Sequence, residues 1–301
     1  MKQTTFNNVT WVDILGLSEK QANELKQELG LASSVHRELL TKQNRSKIEE
    51  YDNYIFIVLH FPVHNKETRA TKPVELDFIV TPSRVITFQQ QAIPALETFF
   101  ETCDDHDDMK ITYFRSAGYL LFSLLDKLID SSMPMLDHLH EKIDKIEDQI
   151  FKGIEKDMLY EIAIVKNDVI DFRRAVKPQK SIYEILTKKA GRFFGHEVDH
   201  LTPEITGSNI RVWNTLENLK ELIESLEETN NSLLSYKLSH IMKTLTIVSF
   251  ITFPLSLIVA IFSMDVRLPF LRSPYNWFGN VAFIVLAVAG LTSYFRKKKW
   301  F

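Results

Sequence analysis

Residues 242–265 read MKTLTIVSFITFPLSLIVAIFSMD, and they end a helical pattern that runs without Gly or Pro from Ser208 to Phe253. Between Lys243 and Asp265 about 21 residues carry no charge. At about 1.5 Å rise per residue they reach about 30 Å, the thickness of the hydrocarbon core of a bilayer. The stretch from Thr202 to Asp265 therefore predicts one continuous helix that begins in water and ends as a transmembrane span.

A second uncharged window, Ser273 to Phe295, follows after a connection of only a few residues. We therefore expect a membrane hairpin, with the stalk helix and first span over 203–265, an extracytoplasmic loop over 266–274, a second span over 275–295 and a basic tail over 296–301.

The basic residues near the span ends set the expected orientation. The outer ends of the hairpin carry Lys237, Lys243, Arg296, Lys297, Lys298 and Lys299. The connection carries only Arg267 and Arg272. Basic segments next to membrane spans stay on the cytoplasmic side. We therefore expect a protein of the inner cell membrane with both termini in the cytoplasm.

Charge and cysteine content restrict the remaining chain. The whole chain has a formal charge of −3, but residues 244–301 carry one acidic and six basic residues, so residues 1–243 are strongly acidic. This argues against nucleic acid as a partner. Cys103 is the single cysteine, which rules out an intrachain disulfide and suits a reducing compartment. The N-terminus lacks the apolar segment of a signal peptide.

Residues 1–110 mix two hydrophobic periods and predict an α/β domain. Three β-branched and aromatic runs are typical of strands: 54–61, 74–80 and 84–88. A helix is expected over 18–29, with Ser18 as its N-cap and Gly30 as its end, and another over 92–100.

Residues 111–202 predict a long-helix region. Apolar residues spaced by three and four run from Tyr119 to Ile150, with a kink expected at Pro134. Further helices are expected over 158–175 and 182–186, before a linker over 191–203 that contains two glycines and a proline.

A stripe of small and polar residues follows the long helix at a 3.5-residue period. One series comprises Glu228, Ser235, Met242, Ser249, Ser256 and Ser263, and the interleaved series comprises Ser232, Ser239, Thr246, Phe253 and Ala260. Two interpretations stand side by side. The hydroxyls can bond back to their own helix in a packing seam, or several copies of the helix can line a pore around an axis. The pore requires a homo-oligomer, because one hairpin cannot enclose a conduit.

Residues 242–265 resemble the CorA family of divalent-cation channels, which have MK-LT, a P-L-[TS] step and then Gly-Met-Asn. The likeness continues into the KKKW end, and YLLFSLLDKLID, EKIDKIEDQIF and DFRRAV resemble the family's cytoplasmic helices. The resemblance implies a funnel-shaped homopentamer in a lipid bilayer, with an α/β cytoplasmic domain and stalk helices around the pore.

The resemblance also implies roles for individual residues. Met242 and Leu245 match positions that narrow the family's pore, Ser256 matches a pore-facing Thr, and Glu228 falls at an acidic ring near the cytoplasmic mouth. Five clustered carboxylates favour occupancy by cations. Family members are gated by divalent ions between cytoplasmic domains, and Glu204 is the nearest acidic match.

The triplet Ser263-Met264-Asp265 departs from the family's Gly-Met-Asn. The family's Asn is thought to accept hydrogen bonds from the water shell of Mg²⁺, which dehydrates reluctantly. Asp265 can still accept, but a carboxylate ring raises the field strength and can shift selectivity toward a metal that loses water readily. Arg267 and Arg272 nearby would either pair with Asp265 or reduce cation recruitment.

Three other patterns suggest metal chemistry. His196 to His200 reads HEVDH, like the zinc-protease H-E-x-x-H motif, but the expected linker does not place both histidines on one helix face. His60 and His64 flank Pro62 in a strand, which disfavours joint ligation. The acidic run 101–108, with Asp104 and Asp105, is expected in a loop, either solvated or as a regulatory site.

The sequence thus predicts a cation channel and not an enzyme. The leading hypothesis is electrochemically driven uptake of Mg²⁺, with Co²⁺ or Ni²⁺ as related ions, through a homopentamer, in which Mg²⁺ is also the candidate regulatory ion. The alternatives are a zinc-preferring member of the same family, or a non-conducting membrane sensor or scaffold that has lost the filter.

Overall fold

The computed structural model describes residues 1–43, 45–65, 70–263 and 276–298. The chain divides into two compact units, Met1–Glu227 and Glu228–Phe301. Met264, Asp265 and the predicted loop over 266–274 lie outside the described residues.

Six strands form one mixed sheet within the described part of the first unit, in the order β1-β2-β6-β5-β4-β3. Strands β2 and β6 are parallel, and the other neighbours are antiparallel. The strands are β1 (Lys2–Phe6), β2 (Val9–Leu15), β3 (Lys47–Glu50), β4 (Ile55–Asn65), β5 (Ala70–Val80) and β6 (Arg84–Gln89). The three predicted strands fall in β4, β5 and β6, which confirms the α/β prediction for this region.

Two helices, α1 (Glu19–Leu29) and α2 (Ser33–Leu39), cover one face of the sheet. Ser18 caps α1 in a capping box with Gln21, and Gly30 ends it at φ 64°, as predicted. Buried apolar side chains fill this layer: Val12, Ile14, Leu31, Val35, Leu39, Tyr54, Phe56, Val58, Ile79, Ile86 and Phe88. The alternation of apolar residues along each strand produces this face.

The opposite face packs on helices that follow β6 in the chain. Trp11 is fully buried there, its ring contacts Phe99 and Phe100, and its Nε1 donates a hydrogen bond to Thr87 Oγ1 at 3.1 Å. The helices after β6 are α3 (Pro94–Asp105), α4 (Asp107–Tyr113), α5 (Ala117–Asp130), α6 (Met133–Phe151), α7 (Glu155–Val176) and α8 (Gln179–Phe194), and α6 packs on α7. Helix α7 packs on β4 and β5, so these central strands are covered on both faces.

Pro134 does not kink a single helix, which corrects the sequence-based expectation. Helix α5 ends at Asp130 and α6 begins at Met133, so Pro134 lies in the first turn of a new helix. Proline is tolerated there because the amide groups of the first turn have no partner within the helix.

The linker predicted over 191–203 is also wrong in its extent. Helix α8 continues to Phe194, a 3₁₀ turn covers His196–Val198, and the next helix begins at Leu201. Gly118 permits a close approach here, since a Cβ atom on it would lie 2.6 Å from the side chain of Phe194. Val198 is fully buried, so the connection is packed rather than solvated.

Helix α9 (Leu201–Ser263) is the continuous helix that the sequence predicts. It enters both units, with its first part in Met1–Glu227 and the remainder in Glu228–Phe301. Among the described residues, the segment Leu201–Ala260 is the one helix that is long and apolar enough to cross a membrane. Helix α10 (Asn276–Lys297) has 22 residues, about 33 Å at 1.5 Å each. Its role as the second span stays a prediction.

We expect the thiol of Cys103 to resist alkylation while the protein is folded. Its side chain is fully buried in α3, and burial raises its pKa to about 12. At pH 8 its thiolate fraction is then about a thousandfold below that of an ordinary cysteine. Timed maleimide labelling with and without denaturant measures this.

The matched control for that labelling is Cys103→Ser combined with Asp104→Cys, which moves the thiol to the exposed neighbouring position. It should react within minutes in the folded protein. Equal labelling rates for the two thiols would contradict the burial of Cys103.

Candidate functional site

The residues that the sequence predicts for the pore are exposed on α9. Met242 and Leu245 are 53% and 56% exposed, and Glu228, Ser249, Ser256 and Ser263 are exposed as well. Residues seven apart drift by about 20° per repeat around a straight α-helix. The members of the series Met242, Ser249, Ser256 and Ser263 therefore point within about 60° of one another. They therefore share one side of the helix.

The apolar part of α9 is uncovered over much of its circumference. Large hydrophobic side chains at Val248, Phe250, Phe253, Leu257 and Val259 are each at least half exposed. Within the candidate span only 6% of the most apolar window is buried. Lipid or further copies of the chain must cover such a surface, because exposed apolar area of this extent is unfavourable in water.

The hydroxyls of the stripe bond back to their own helix. Ser249 Oγ donates to the carbonyl of Leu245 at 2.9 Å, Ser256 Oγ to Thr252 at 2.9 Å, and Ser263 Oγ to Val259 at 2.8 Å. Each proton is thus satisfied without a neighbouring helix. The oxygen lone pairs remain available as acceptors, so this arrangement suits both a packing seam and a path for hydrated cations.

Pro254 lies inside α9 and removes one bond from its ladder. Proline has no amide proton, so the carbonyl of Phe250, four residues earlier, lacks its usual helical donor. A carbonyl in a membrane requires a partner from protein or water. The proline thus adds one further acceptor close to Ser249 and Ser256.

Glu204, the predicted regulatory ligand, lines a cavity of about 160 Å³ that also borders Ser123 and Asp126. The pKa of Asp126 is raised, first by burial and then by the negative charges of Asp130 and Glu204. Ser208 Oγ donates to Asp126 Oδ1 at 3.4 Å. Two carboxylates therefore interact electrostatically in this cavity.

Asp104 and Asp105 are not among the residues that line that cavity. Both are exposed in the last turn of α3 rather than in the loop that the sequence predicts, and Lys110 Nζ donates to the backbone oxygen of Asp104 at 2.8 Å. Among the described residues, no group of three or more His, Cys, Asp or Glu side chains could hold a metal. Glu204, Asp104 and Asp105 thus do not form one site within a single chain.

Neither histidine pattern belongs to a group of three or more candidate metal ligands among the described residues. The HEVDH run covers the 3₁₀ turn and the residues that follow it, and His200 contacts the ring of Tyr119. His60 is buried, and burial lowers its pKa. Its two ring nitrogens lie 3.2 Å from Ser46 Oγ and 2.9 Å from the carbonyl oxygen of Gln43.

Sequence reasoning missed a pair of buried carboxylates on β5. Glu75 and Asp77 are 5% and 4% exposed. The alternation in Val74-Glu-Leu-Asp-Phe78 suggests a strand with one solvated face, whereas the structure covers both faces. Burial, reinforced by the charges of Glu75 and Glu38, raises the pKa of Asp77 well above its usual value. Acidic residues alternating within a central strand were the available signal.

Comparison with known proteins identifies a family of metal-ion transporters. The family model described as CorA-like Mg²⁺ transporter protein matches residues 6–297. The chain is 26% identical to the cobalt/magnesium transport protein CorA of Thermotoga maritima, over 97% of this chain and 83% of that protein. It is 19% identical to the zinc transport protein ZntB of Pectobacterium atrosepticum, over 96% and 87% of the two chains.

A solved structure shares the fold. The complete CorA magnesium transporter from Methanocaldococcus jannaschii superposes with a TM-score of 0.87 at 19% identity, covering 100% of this chain and 95% of that one. At this identity the likeness concerns the fold alone.

We expect Asp126→Asn to stabilise the protein at pH 8 and to have little effect near pH 4. Because the pKa of Asp126 is raised on folding above 3.8, the folded state binds its proton more tightly than the unfolded state. Folding is then favoured in acid, and stability is lost as the pH rises through the folded-state pKa. The neutral amide avoids that loss.

Thermal unfolding of the detergent-solubilised full chain between pH 4 and 8 measures the effect. Asp137→Asn, at an exposed position of α6, is the matched control and should shift the unfolding temperature little. A destabilising effect of Asp126→Asn throughout this range would contradict the prediction.

Proposed function

Because the chain belongs to the CorA-like Mg²⁺ transporter family, we propose that it carries Mg²⁺, or a related ion such as Co²⁺ or Ni²⁺, into the cell. Flow is passive and follows the electrochemical gradient. The single observation that carries the proposal is the exposed stripe of α9, which places Met242, Ser249, Ser256 and Ser263 on one side of a helix long enough to span a bilayer.

A pore from this helix requires several copies around an axis, and the proposal is a homopentamer. The exposed apolar residues of α9 support assembly, because neighbouring copies and lipid would both remove them from water. A lining with hydroxyl oxygens can accept hydrogen bonds from the water shell that Mg²⁺ retains. Met242 and Leu245 would narrow such a pore without competing for the ion.

Glu228 is the proposed recruiting residue near the cytoplasmic mouth. It is exposed at the start of the second unit. Repeated by symmetry, its carboxylate would form a ring whose members repel one another, and a cation in the ring relieves that repulsion. Both termini are proposed to lie in the cytoplasm, with the second span formed by α10.

The triplet Ser263-Met264-Asp265 is the proposed selectivity element. Ser263 ends α9 and is exposed, while the two residues after it are outside the described part of the chain. A ring of Asp265 carboxylates would bind a cation more strongly than a ring of amides. Strong binding slows release of the cation, so the triplet would affect both the ion preference and the transport rate.

Regulation by a cytoplasmic cation at Glu204, with Asp104 and Asp105 as further candidates, stays a prediction. Among the described residues that line its cavity, the other carboxylate beside Glu204 is that of Asp126. A complete ligand set would draw on a neighbouring chain, which is consistent with the proposed oligomer.

A zinc-preferring transporter is the second candidate. The altered triplet motivates it, since carboxylates suit metals that lose water more readily than Mg²⁺. The relative named as a zinc transport protein adds support, because its 19% identity extends over 96% of this chain and 87% of its own length. A non-conducting sensor or scaffold is the third, motivated by the same triplet and the arginines beside it.

We expect the purified full-length protein in liposomes to conduct Mg²⁺ when a gradient is imposed, as read by an enclosed Mg²⁺-sensitive dye. Competition by Zn²⁺, Co²⁺ and Ni²⁺ in the same vesicles then separates the magnesium and zinc candidates. Absence of flux for all four ions in correctly oriented protein would overturn the transport proposal.

The double change Ser263→Gly with Asp265→Asn restores the family triplet and serves as the paired variant in this assay. If the parent is silent and the variant conducts, the chain is a scaffold that has lost its filter. A conducting parent excludes the scaffold.

We expect Glu228→Gln to lower Mg²⁺ flux by about tenfold at low ionic strength, since the carboxylate ring concentrates cations at the mouth. At about 1 M salt, where the Debye length is about 3 Å, the difference should shrink. Glu161→Gln, at an exposed position of α7, makes the same charge change and should leave flux unaltered. A salt-independent loss would instead indicate damage to the fold.

A further inference from the structure

A second cavity, of about 260 Å³, lies against the sheet where β2 and β6 end. It is bordered by Gly16, which follows β2, by Leu39 and Leu40 at the end of α2, and by Glu75 and Asp77 on β5. Gly16 has φ 71°, and a Cβ atom there would meet nothing within 4 Å. The cavity is thus an open space beside two acidic side chains.

Each of these carboxylates has one oxygen without a hydrogen-bond partner among the residues that the structure describes. These oxygens are Glu75 Oε1 and Asp77 Oδ1, and both belong to side chains that are more than nine-tenths buried. The other oxygen of Glu75, Oε2, accepts a hydrogen bond from the amide of Gln43 at 2.6 Å. The two unpaired oxygens belong to residues two apart on one strand, which point to the same face of the sheet.

Nearby lysines do not neutralise the pair. Lys47 bonds to Glu38 and Glu49, and within the described residues neither Lys47 nor Lys42 forms an ion pair with Glu75 or Asp77. Lys42 and Lys47 act on the two carboxylates only through longer-range attraction. Two buried carboxylates that share a cavity are costly as anions, so they either bind protons, as their raised pKa values indicate, or are joined by a positive charge.

We propose that Glu75 and Asp77 bind a partly hydrated divalent cation of the Mg²⁺ or Mn²⁺ class in this cavity. Such ions take oxygen ligands, and Mg²⁺ commonly uses one or two carboxylates while keeping several waters. At about 30 Å³ per water, the cavity has room for the ion and several water molecules. One ion would approach both unpaired oxygens.

The side chains that line this cavity do not favour binding of zinc. Among the described residues that line the cavity, none offers an imidazole or a thiol. The amide of Gln89 is already engaged, since its Nε2 donates to Asp13 and its Oε1 accepts from the amide of Ile93. Zinc sites in proteins mostly use nitrogen and sulfur ligands, whereas an oxygen-only set suits Mg²⁺ and Mn²⁺.

The site is formed by one chain within Met1–Glu227, and it does not depend on whether α9 conducts. It is also distinct from the cavity of Glu204 and Asp126, with which it shares no lining residue. Binding here can therefore be measured separately from transport.

The test counts Mn²⁺ ions bound to the detergent-solubilised full chain by electron paramagnetic resonance, using the signal of free Mn²⁺. We expect the wild type to bind about one ion per chain more than the double variant Glu75→Gln with Asp77→Asn, which keeps the side-chain shapes and removes both charges. The matched control, Glu161→Gln at an exposed position of α7, should retain this cavity-bound ion, and excess Mg²⁺ should displace the ion.

Equal Mn²⁺ binding by the wild type and a folded double variant would overturn the proposal, as would displacement of this ion by Zn²⁺ but not by Mg²⁺. If the double variant does not fold, methyl-labelled wild type decides. Bound Mn²⁺ should broaden the signals of Leu39 and Leu40 before that of Leu139 in α6. Uniform broadening, or none at Leu39, would also overturn it.

Discussion

One constraint determines how the apolar part of this chain can fold. In a medium without water, every backbone amide and carbonyl needs a hydrogen-bond partner within the protein. Helix α9 meets it by bonding within itself over 63 residues, while its lateral surface changes from charged to apolar. The Ser and Thr hydroxyls follow the same rule, because each donates to a carbonyl four residues earlier. Only at Pro254 does the ladder lose a donor, and this position lies among the proposed pore residues.

Negative charge is handled differently in the two units. Around Glu228 the carboxylates are solvated and can form a ring only through assembly. In the first unit, Glu75 and Asp77 are placed in the core, and Asp126 and Glu204 share a smaller cavity. The buried pair Glu75 and Asp77 carries a desolvation cost that a bound cation would offset.

Most elements could be predicted from sequence, because the periods of apolar residues and the local caps act over short distances. Ser18 and Gly30 end α1 where expected, and the uninterrupted pattern from Ser208 to Phe253 does form one helix. The errors came where tertiary contacts decide. Pro134 separates two helices instead of kinking one, and the expected linker is largely helical because Phe194 and Val198 pack against Gly118.

The sequence by itself determined the long helix, its polarity change and the stripe with a seven-residue spacing, since these follow from the order of residues along one element. The tertiary structure alone decided which carboxylates meet. Asp104 and Asp105 do not line the cavity of Glu204, whereas Glu75 and Asp77, which looked solvated in an alternating strand, are buried and line a second cavity. Burial depends on what covers each face of the sheet, and that covering comes from helices distant in sequence.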